Sequence, residues 1–139
     1  MNDVRPLVGV GIMILRDGKV LLGQRLSKHG AGEWQFPGGH LEYMESFEEC
    51  ARREAKEEAD VEVENVKFQF LGNVKKYGKK HYIQIGLIAD YKSGIPKVME
   101  PDKTGEWDWY DLDNLPSPMF AMCDLAIESY KTGQNYFDS

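Results

Sequence analysis

The sequence predicts an α/β protein in which a mixed β-sheet lies between helices. Three observations lead there. Alternating apolar residues mark strands in several separate segments. Two further segments carry apolar residues at helical spacing instead. A length of 139 residues, 42% of them hydrophobic, suits one domain with a single core.

The elements follow in order. Val8, Val10, Ile12 and Ile14 alternate with Gly9, Gly11 and Met13, the pattern of a buried strand. Asp17-Gly18 is a hairpin signal, so Lys19 to Arg25 is the returning strand. Ser27 to Glu33 holds two glycines and reads as a loop. Trp34 to Gly38 is short and extended, and runs into Gly39. Ser46 followed by Glu49 is a capping box, which starts a helix at Phe47 that runs to Ala59. Val66 to Lys76 and His81 to Tyr91 read as strands joined by a turn near Gly78. Ser93 to Gly105, with Pro96 and Pro101, reads as a loop, and Glu106 to Asp111 as a strand. Pro116 and Pro118 break the chain. Met119 to Lys131 has helical spacing and Gly133 stops it.

Composition narrows the function. A net charge of -6 argues against a basic surface for nucleic-acid polymers. It leaves room for a nucleotide, because Mg²⁺ can carry phosphates into an acidic site. Cys50 and Cys123 form no motif and read as structural thiols of a reduced cytoplasm. No apolar run is long enough to span a membrane, and no signal peptide is expected.

The helix from Phe47 carries the chemistry. At about 100° per residue, Glu58 and Glu54 fall within about 20° of Phe47, and Glu57 about 80° to one side. Cys50, Ala51 and Ala55 share that side, while Glu48, Glu49, Arg52, Arg53 and Lys56 face away. Carboxylates turned inward are costly unless their charge is compensated. A hard divalent cation bound by oxygen is the natural compensator.

The spacing around the helix is Gly39, five residues, Glu45, seven residues, then Arg53-Glu54-Ala55-Lys56-Glu57-Glu58-Ala59-Asp60-Val61. This resembles the signature box of the Nudix hydrolases, which cleave nucleoside diphosphates linked to another group X. Ala55 is smaller than the family's aliphatic residue, and Asp60 stands where the family has glycine in left-handed geometry. Aspartate tolerates that geometry better than most residues. The resemblance implies a Nudix-type α/β/α sandwich. It also implies Mg²⁺, with Mn²⁺ as substitute, on Glu54, Glu57 and Glu58 and on the carbonyl of Gly38. One of the three glutamates is the general base by this resemblance, and the sequence does not single it out. Arg53 is implied to pair with Glu45 and tie the loop after Gly39 to the helix.

The likeness extends to Gly23-Gln24-Arg25, Gly30-Ala31-Gly32, Gln35 to Glu42, and Glu100-Pro101-Asp102-Lys103 before Trp107-Asp108-Trp109. These resemble the MutT-type nucleoside-triphosphate pyrophosphohydrolases of that family. By this resemblance Arg25 meets phosphate and Gln35 reaches the base edge. Phe36 packs on the base or in the core, and Gly39 lets the backbone approach the phosphates. His40 touches phosphate or caps the loop. Phe120 is the candidate aromatic wall, and Gln84 the alternative source of specificity. Glu100, Asp102 and Glu106 are candidates for one further metal ligand. The leading expectation is Mg²⁺-dependent hydrolysis of a nucleoside or deoxynucleoside triphosphate, 8-oxo-dGTP included, to monophosphate and pyrophosphate. The alternative keeps the site and takes NADH or ADP-ribose, and the least favoured reading is an inactive nucleotide sensor. A homodimer is expected from the subgroup and from the apolar strands between Phe68 and Tyr91.

Overall fold

The computed structural model describes residues 4–138. The single domain expected over residues 1–139 therefore reaches past the described residues at both ends. In chain order the elements are β1 (Leu7–Arg16), β2 (Lys19–Arg25), β3 (Trp34–Gln35), β4 (Gly38–His40), α1 (Phe47–Ala59), β5 (Glu62–Val74), β6 (Tyr82–Ser93), β7 (Thr104–Asp111), α2 (Ala121–Thr132) and β8 (Tyr136–Asp138).

The β1–β2 hairpin turns at Asp17 and Gly18, whose φ angles of 50° and 79° are the left-handed pair a two-residue turn needs. The two strands pair only next to that turn, Leu15 with Val20 and Arg16 with Lys19. Beyond it they part, and each finds other neighbours. β1 runs parallel to β6 from Leu7 to Leu15 and takes β4 on its other side at Gly9 to Gly11. β2 pairs with β3 and β7. β5 lies antiparallel to β6, and β8 is added parallel to β5 at the edge. The sheet is therefore mixed, as expected.

Helices cover both faces of the sheet. Side chains alternate along a strand, so Ile12 and Ile14 of β1 join the layer under α1 while Met13 joins the layer under α2. Cys50, Ala51, Ala55 and Ala59 complete the first layer, and Met122, Cys123, Ala126 and Ile127 the second. The single core expected from composition is thus two cores divided by the sheet. Both cysteines are buried and unpaired, as structural thiols should be.

Several boundaries differ from the sequence reading. The stretch from Trp34 to Gly38 is not one strand. Pro37 has no N–H to give a ladder, and around it the chain crosses from β2 to β1. β5 begins at Glu62 rather than Val66, with its register shifting between Glu64 and Lys67 beside Asn65 at φ 54°. β7 begins at Thr104, two residues early. α2 begins at Ala121 rather than Met119, with Phe120 at its N-cap, and Met119 bridges to Trp34. β8 carried no alternation long enough to read.

The ends of α1 follow the sequence closely. The Glu49 N–H donates to Ser46 Oγ at 3.0 Å and the Ser46 N–H donates to Glu49 Oε1 at 2.8 Å. Asp60 ends the helix in left-handed geometry, φ 57° and ψ 38°. Arg53 was read as facing outward, but its side chain curls back. Its Nε donates to Glu45 Oε2 at 2.6 Å and its Nη2 to Glu45 Oε1 at 3.0 Å, a fork-on-carboxylate pair. Nη2 also reaches the His40 carbonyl at 3.0 Å, so one guanidinium ties helix, loop and β4 together.

That pair sets a pH dependence. The Arg53 guanidinium holds the Glu45 carboxyl down at about 2, against an ordinary value of 4.5. A carboxyl lowered on folding contributes stability above its unfolded value, and that stability is lost as pH falls through the folded one. Glu45→Gln should therefore cost about 1–3 kcal/mol at pH 7. The gap from the native protein should close as pH falls from 4.5 toward 2. Urea unfolding across that range measures both.

Candidate active site

The parting of β1 from β2 opens a cavity of about 550 Å³. β4 and α1 close it on one side, and Phe120 and Met122 from the start of α2 on the other. Glu54, Glu57 and Glu58 line it. Glu54 is buried, Glu58 half-buried and Glu57 exposed, so the inward face read from the helix wheel holds for two of the three.

Two glycines bring this acidic face against β4. A Cβ on Gly39 would lie 2.5 Å from the Glu54 carboxylate, and one on Gly38 would lie 2.3 Å from the Val10 carbonyl oxygen. Only glycine allows both approaches. The Gly38 N–H then donates to Glu58 Oε1 at 2.6 Å. The Trp107 indole donates to the Glu58 carbonyl at 3.0 Å and fixes the end of the helix from β7.

Desolvation strains these acids electrostatically. Burial pushes the Glu58 carboxyl up to about 8, with Glu54 and Glu100 adding like charge and the Gly38 N–H opposing. Burial also raises Glu54, against the pull of Arg53. Arg53 Nη1 meets Glu54 Oε1 at 2.7 Å and Glu57 Oε2 at 3.1 Å. Among the described residues no three acidic, histidine or cysteine side chains converge as a metal cage. The donor chemistry nevertheless suits a hard cation: Glu54 and Glu58 are one turn apart and all-oxygen, and burial raises the pKa of both. Glu57, with its side chain 58% exposed, has room to turn. Of the three late carboxylates, Glu100 lines the cavity, whereas Asp102 and Glu106 do not. Glu100 is paired with Lys103 at 3.2 Å.

Arg25 reaches the cavity from the end of β2. Its Nε donates to the His29 carbonyl at 2.8 Å, Nη2 to Ser27 Oγ at 3.2 Å, and Nη1 to Gln35 Oε1. The guanidinium lies 4.0 Å from the centre of the Phe120 ring, within cation–π range. Gln35 gives its Nε2 to Thr104 Oγ1 at 3.2 Å, so both ends of its amide are engaged. Phe36 is buried in the α2 layer and also lines the cavity, which joins the two roles weighed for it. His40 lies at the rim, 3.4 Å from the Tyr82 hydroxyl and near-parallel to its ring. Gln84 projects from β6 into the same cavity.

The sequence reading missed Tyr82, His29, Thr104 and Lys103 as lining residues. Tyr82 could have been found, since it lies two residues from Gln84 on one strand face. His29 and Thr104 carried no signal of their own. Each enters only because a loop or an early strand start brings it there.

The comparisons with known proteins agree with this arrangement. The chain is 31% identical over 119 residues to the oxidized purine nucleoside triphosphate hydrolase of Danio rerio, covering 79% of this chain and 70% of that one. It is 29% identical over 122 residues to the NAD-capped RNA hydrolase NudC of Vibrio atlanticus, covering 85% of this chain but 43% of that protein. Among solved structures, the MutT NUDIX hydrolase from Burkholderia pseudomallei superposes with a TM-score of 0.84 at 32% identity, covering 90% of this chain and 98% of that one. Residues 5–127 match the model of the NUDIX domain, and with the glycine-backed acidic helix in place the chain belongs to the NUDIX hydrolases.

Proposed function

We propose that the protein hydrolyses nucleoside or deoxynucleoside triphosphates, oxidised purine forms such as 8-oxo-dGTP included, to the monophosphate and pyrophosphate. The observation that carries this reading is a single cavity lined by both the helix carboxylates and Arg25. A polyphosphate chain is the ligand that needs both. Glu54, Glu57 and Glu58 would hold Mg²⁺, or Mn²⁺ in its place, with the Gly38 carbonyl and Glu100 as further candidate donors. The metal, when bound, neutralises phosphoryl oxygens and lowers the pKa of water. Arg25, held by three neighbours, meets a phosphate oxygen with charge-assisted hydrogen bonds. Lys103 adds positive charge beside Glu100. In the net reaction water adds to phosphorus, one P–O–P bridge breaks, and pyrophosphate leaves. The zebrafish relative's name supports a triphosphate, and the NudC relatives keep a dinucleotide such as NADH, or ADP-ribose, as the second reading.

A panel of dNTPs, 8-oxo-dGTP, NADH and ADP-ribose with Mg²⁺ tests the substrate class. Pyrophosphate release from triphosphates is expected, and turnover of the dinucleotides alone would overturn it. Glu57→Gln and Glu58→Gln should each lower that release by about two orders of magnitude or more while circular dichroism stays native, because each removes a charged ligand and keeps the shape.

Metal and proton compete at Glu58. A carboxyl raised on folding binds protons more tightly in the native state, so without metal stability should fall as pH rises from 4.5 toward about 8. Mg²⁺ should restore it, with the rise in Tm over an EDTA control growing with pH and levelling above about 8. Melting curves from pH 5 to pH 9 check the trend. An equal shift at every pH would remove Glu58 from the ligand set.

The reading includes a homodimer in a reducing compartment. The two unpaired buried thiols support the compartment. Phe68, 55% exposed on β5, and Tyr136, 60% exposed on edge strand β8, support a self-association surface. A dimer mass by light scattering at micromolar concentration is the expected outcome.

A further inference from the structure

Two glutamine amides border the cavity, and their surroundings differ. Gln35 spends both ends on its neighbours, Oε1 on Arg25 and Nε2 on Thr104. It is built into the support of the guanidinium. Gln84 is 7% exposed and sits on β6, between β1 and β5. Among the described residues the buried polar side chains are Glu54, Gln84, Thr104 and Ser129. Glu54 has Arg53, Thr104 has Gln35, and Ser129 has the Gln69 carbonyl. Gln84 alone of these makes no side-chain hydrogen bond there. The side chain is buried as a whole, yet among the described residues the buried polar atoms left without a partner are His29 Nε2 and Gln69 Oε1, not those of this amide. The amide therefore opens onto the cavity, where a ligand can meet it.

The backbone beneath Gln84 is cleared for it. Gly9 is its direct partner on β1, and Gly11 lies two residues on. A Cβ on Gly9 would come 2.5 Å from Gln84 Oε1, and one on Gly11 2.9 Å from Nε2. Both glycines have ordinary strand geometry, absent from the positive-φ residues, so it is space that they supply. The amide lies along a bare strip of β1 with one acceptor and one donor side by side. Tyr82, two residues earlier on the same strand face, and Phe120 line the same cavity, with Phe120 stacked on Tyr77 and covered by the Arg25 guanidinium.

We propose that Gln84 is the residue that reads the nucleobase, and that Gln35 is a positioning residue for Arg25. The proposal rests on the nucleotide reading of this site. A nucleobase carries a donor next to an acceptor on its edge. That edge is the complement of a side-chain amide. Gln35 is held in one orientation by Arg25 and Thr104 and keeps only one lone pair and one N–H, whereas Gln84 has its whole amide to offer.

The experiment uses the full chain with Mg²⁺ and four triphosphates, dGTP, 8-oxo-dGTP, dATP and dCTP. Gln84→Met keeps the bulk and removes the amide. The ratio of kcat/KM between best and worst base should shrink by at least about tenfold, mostly through KM. Gln35→Leu should instead lower kcat/KM for all four together and keep their order, since only the hold on Arg25 is lost. Calorimetric binding of the α,β-methylene analogues should follow the same two patterns. Gln84→Met should also melt no lower than the native protein, because the amide it removes has no partner in the fold. An unchanged ranking in Gln84→Met, a reordered one in Gln35→Leu, or a Gln84→Met variant that does not fold would each overturn the assignment. A native protein that cleaves all four triphosphates without preference would overturn it too, while leaving the nucleotide reading intact. A native protein that binds none of them would overturn both.

Discussion

The structure turns on the approach of an acidic helix face to a glycine strand. Gly38 and Gly39 let α1 come close enough that the Glu54 carboxylate occupies the place of a missing side chain, and Glu58 takes the Gly38 N–H. Any larger residue would push the helix outward. The price is desolvation of two carboxylates, and Arg53 offsets part of it. Bonded at once to Glu45, Glu54, Glu57 and the His40 carbonyl, it fixes the distance between loop and helix and shares the negative charge. Arg53 lines the cavity beside the helix, with Arg25 and Lys103 as the other cations there.

The sheet makes the space that this helix closes. β1 and β2 pair for only two residue pairs, after which β4 takes the place beside β1 that β2 leaves. Substrate groups can therefore reach between layers that elsewhere are packed shut. The same parting separates two kinds of residue. Backbone and carboxylates from β4 and α1 line one side, while Arg25, Phe120 and Gln84 come from strands and loops on the other sides. Charge follows the division. A chain of net charge -6 keeps Arg25 inside, and burial lowers its pKa, though nearby acidic groups oppose the shift. The arginine is thus a costly group held in place, and that is consistent with a role toward an anion.

Much of this was legible in the sequence where the signal is local. The capping box at Ser46, the left-handed Asp60, the Asp17-Gly18 turn and the buried Glu54 each depend on residues a few positions apart. The structure places all four as read. What was not legible depends on partners distant in the chain. β4 is three residues long and is a strand only because β1 lies beside it. β8 is likewise defined by β5. Arg53 was placed on the outer face by helix geometry, which is correct for its Cα. Its long side chain then reaches around the helix to acids on the other side, and a wheel does not carry that information.

The case of the two glutamines shows the same limit at the site itself. Gln35 adjoins the Pro37-Gly38-Gly39 run, and closeness in sequence favoured it as the base reader. The fold gives its amide to Arg25 and to Thr104, which is 69 residues away. Gln84 is far from the box in sequence, yet the parallel pairing of β1 and β6 lays it over Gly9 and Gly11. Chemistry and recognition are therefore encoded differently in this chain. The hydrolytic part is written in one continuous stretch from Gly38 to Glu58, whose spacing the helix fixes. The other side chains lining the cavity come from β2, β6 and the start of α2, and under the proposed reading they carry recognition. A single box can for this reason accompany relatives named for oxidised purine triphosphates and for NAD-capped RNA, and the base is to be sought in the residues that face the cavity without a partner.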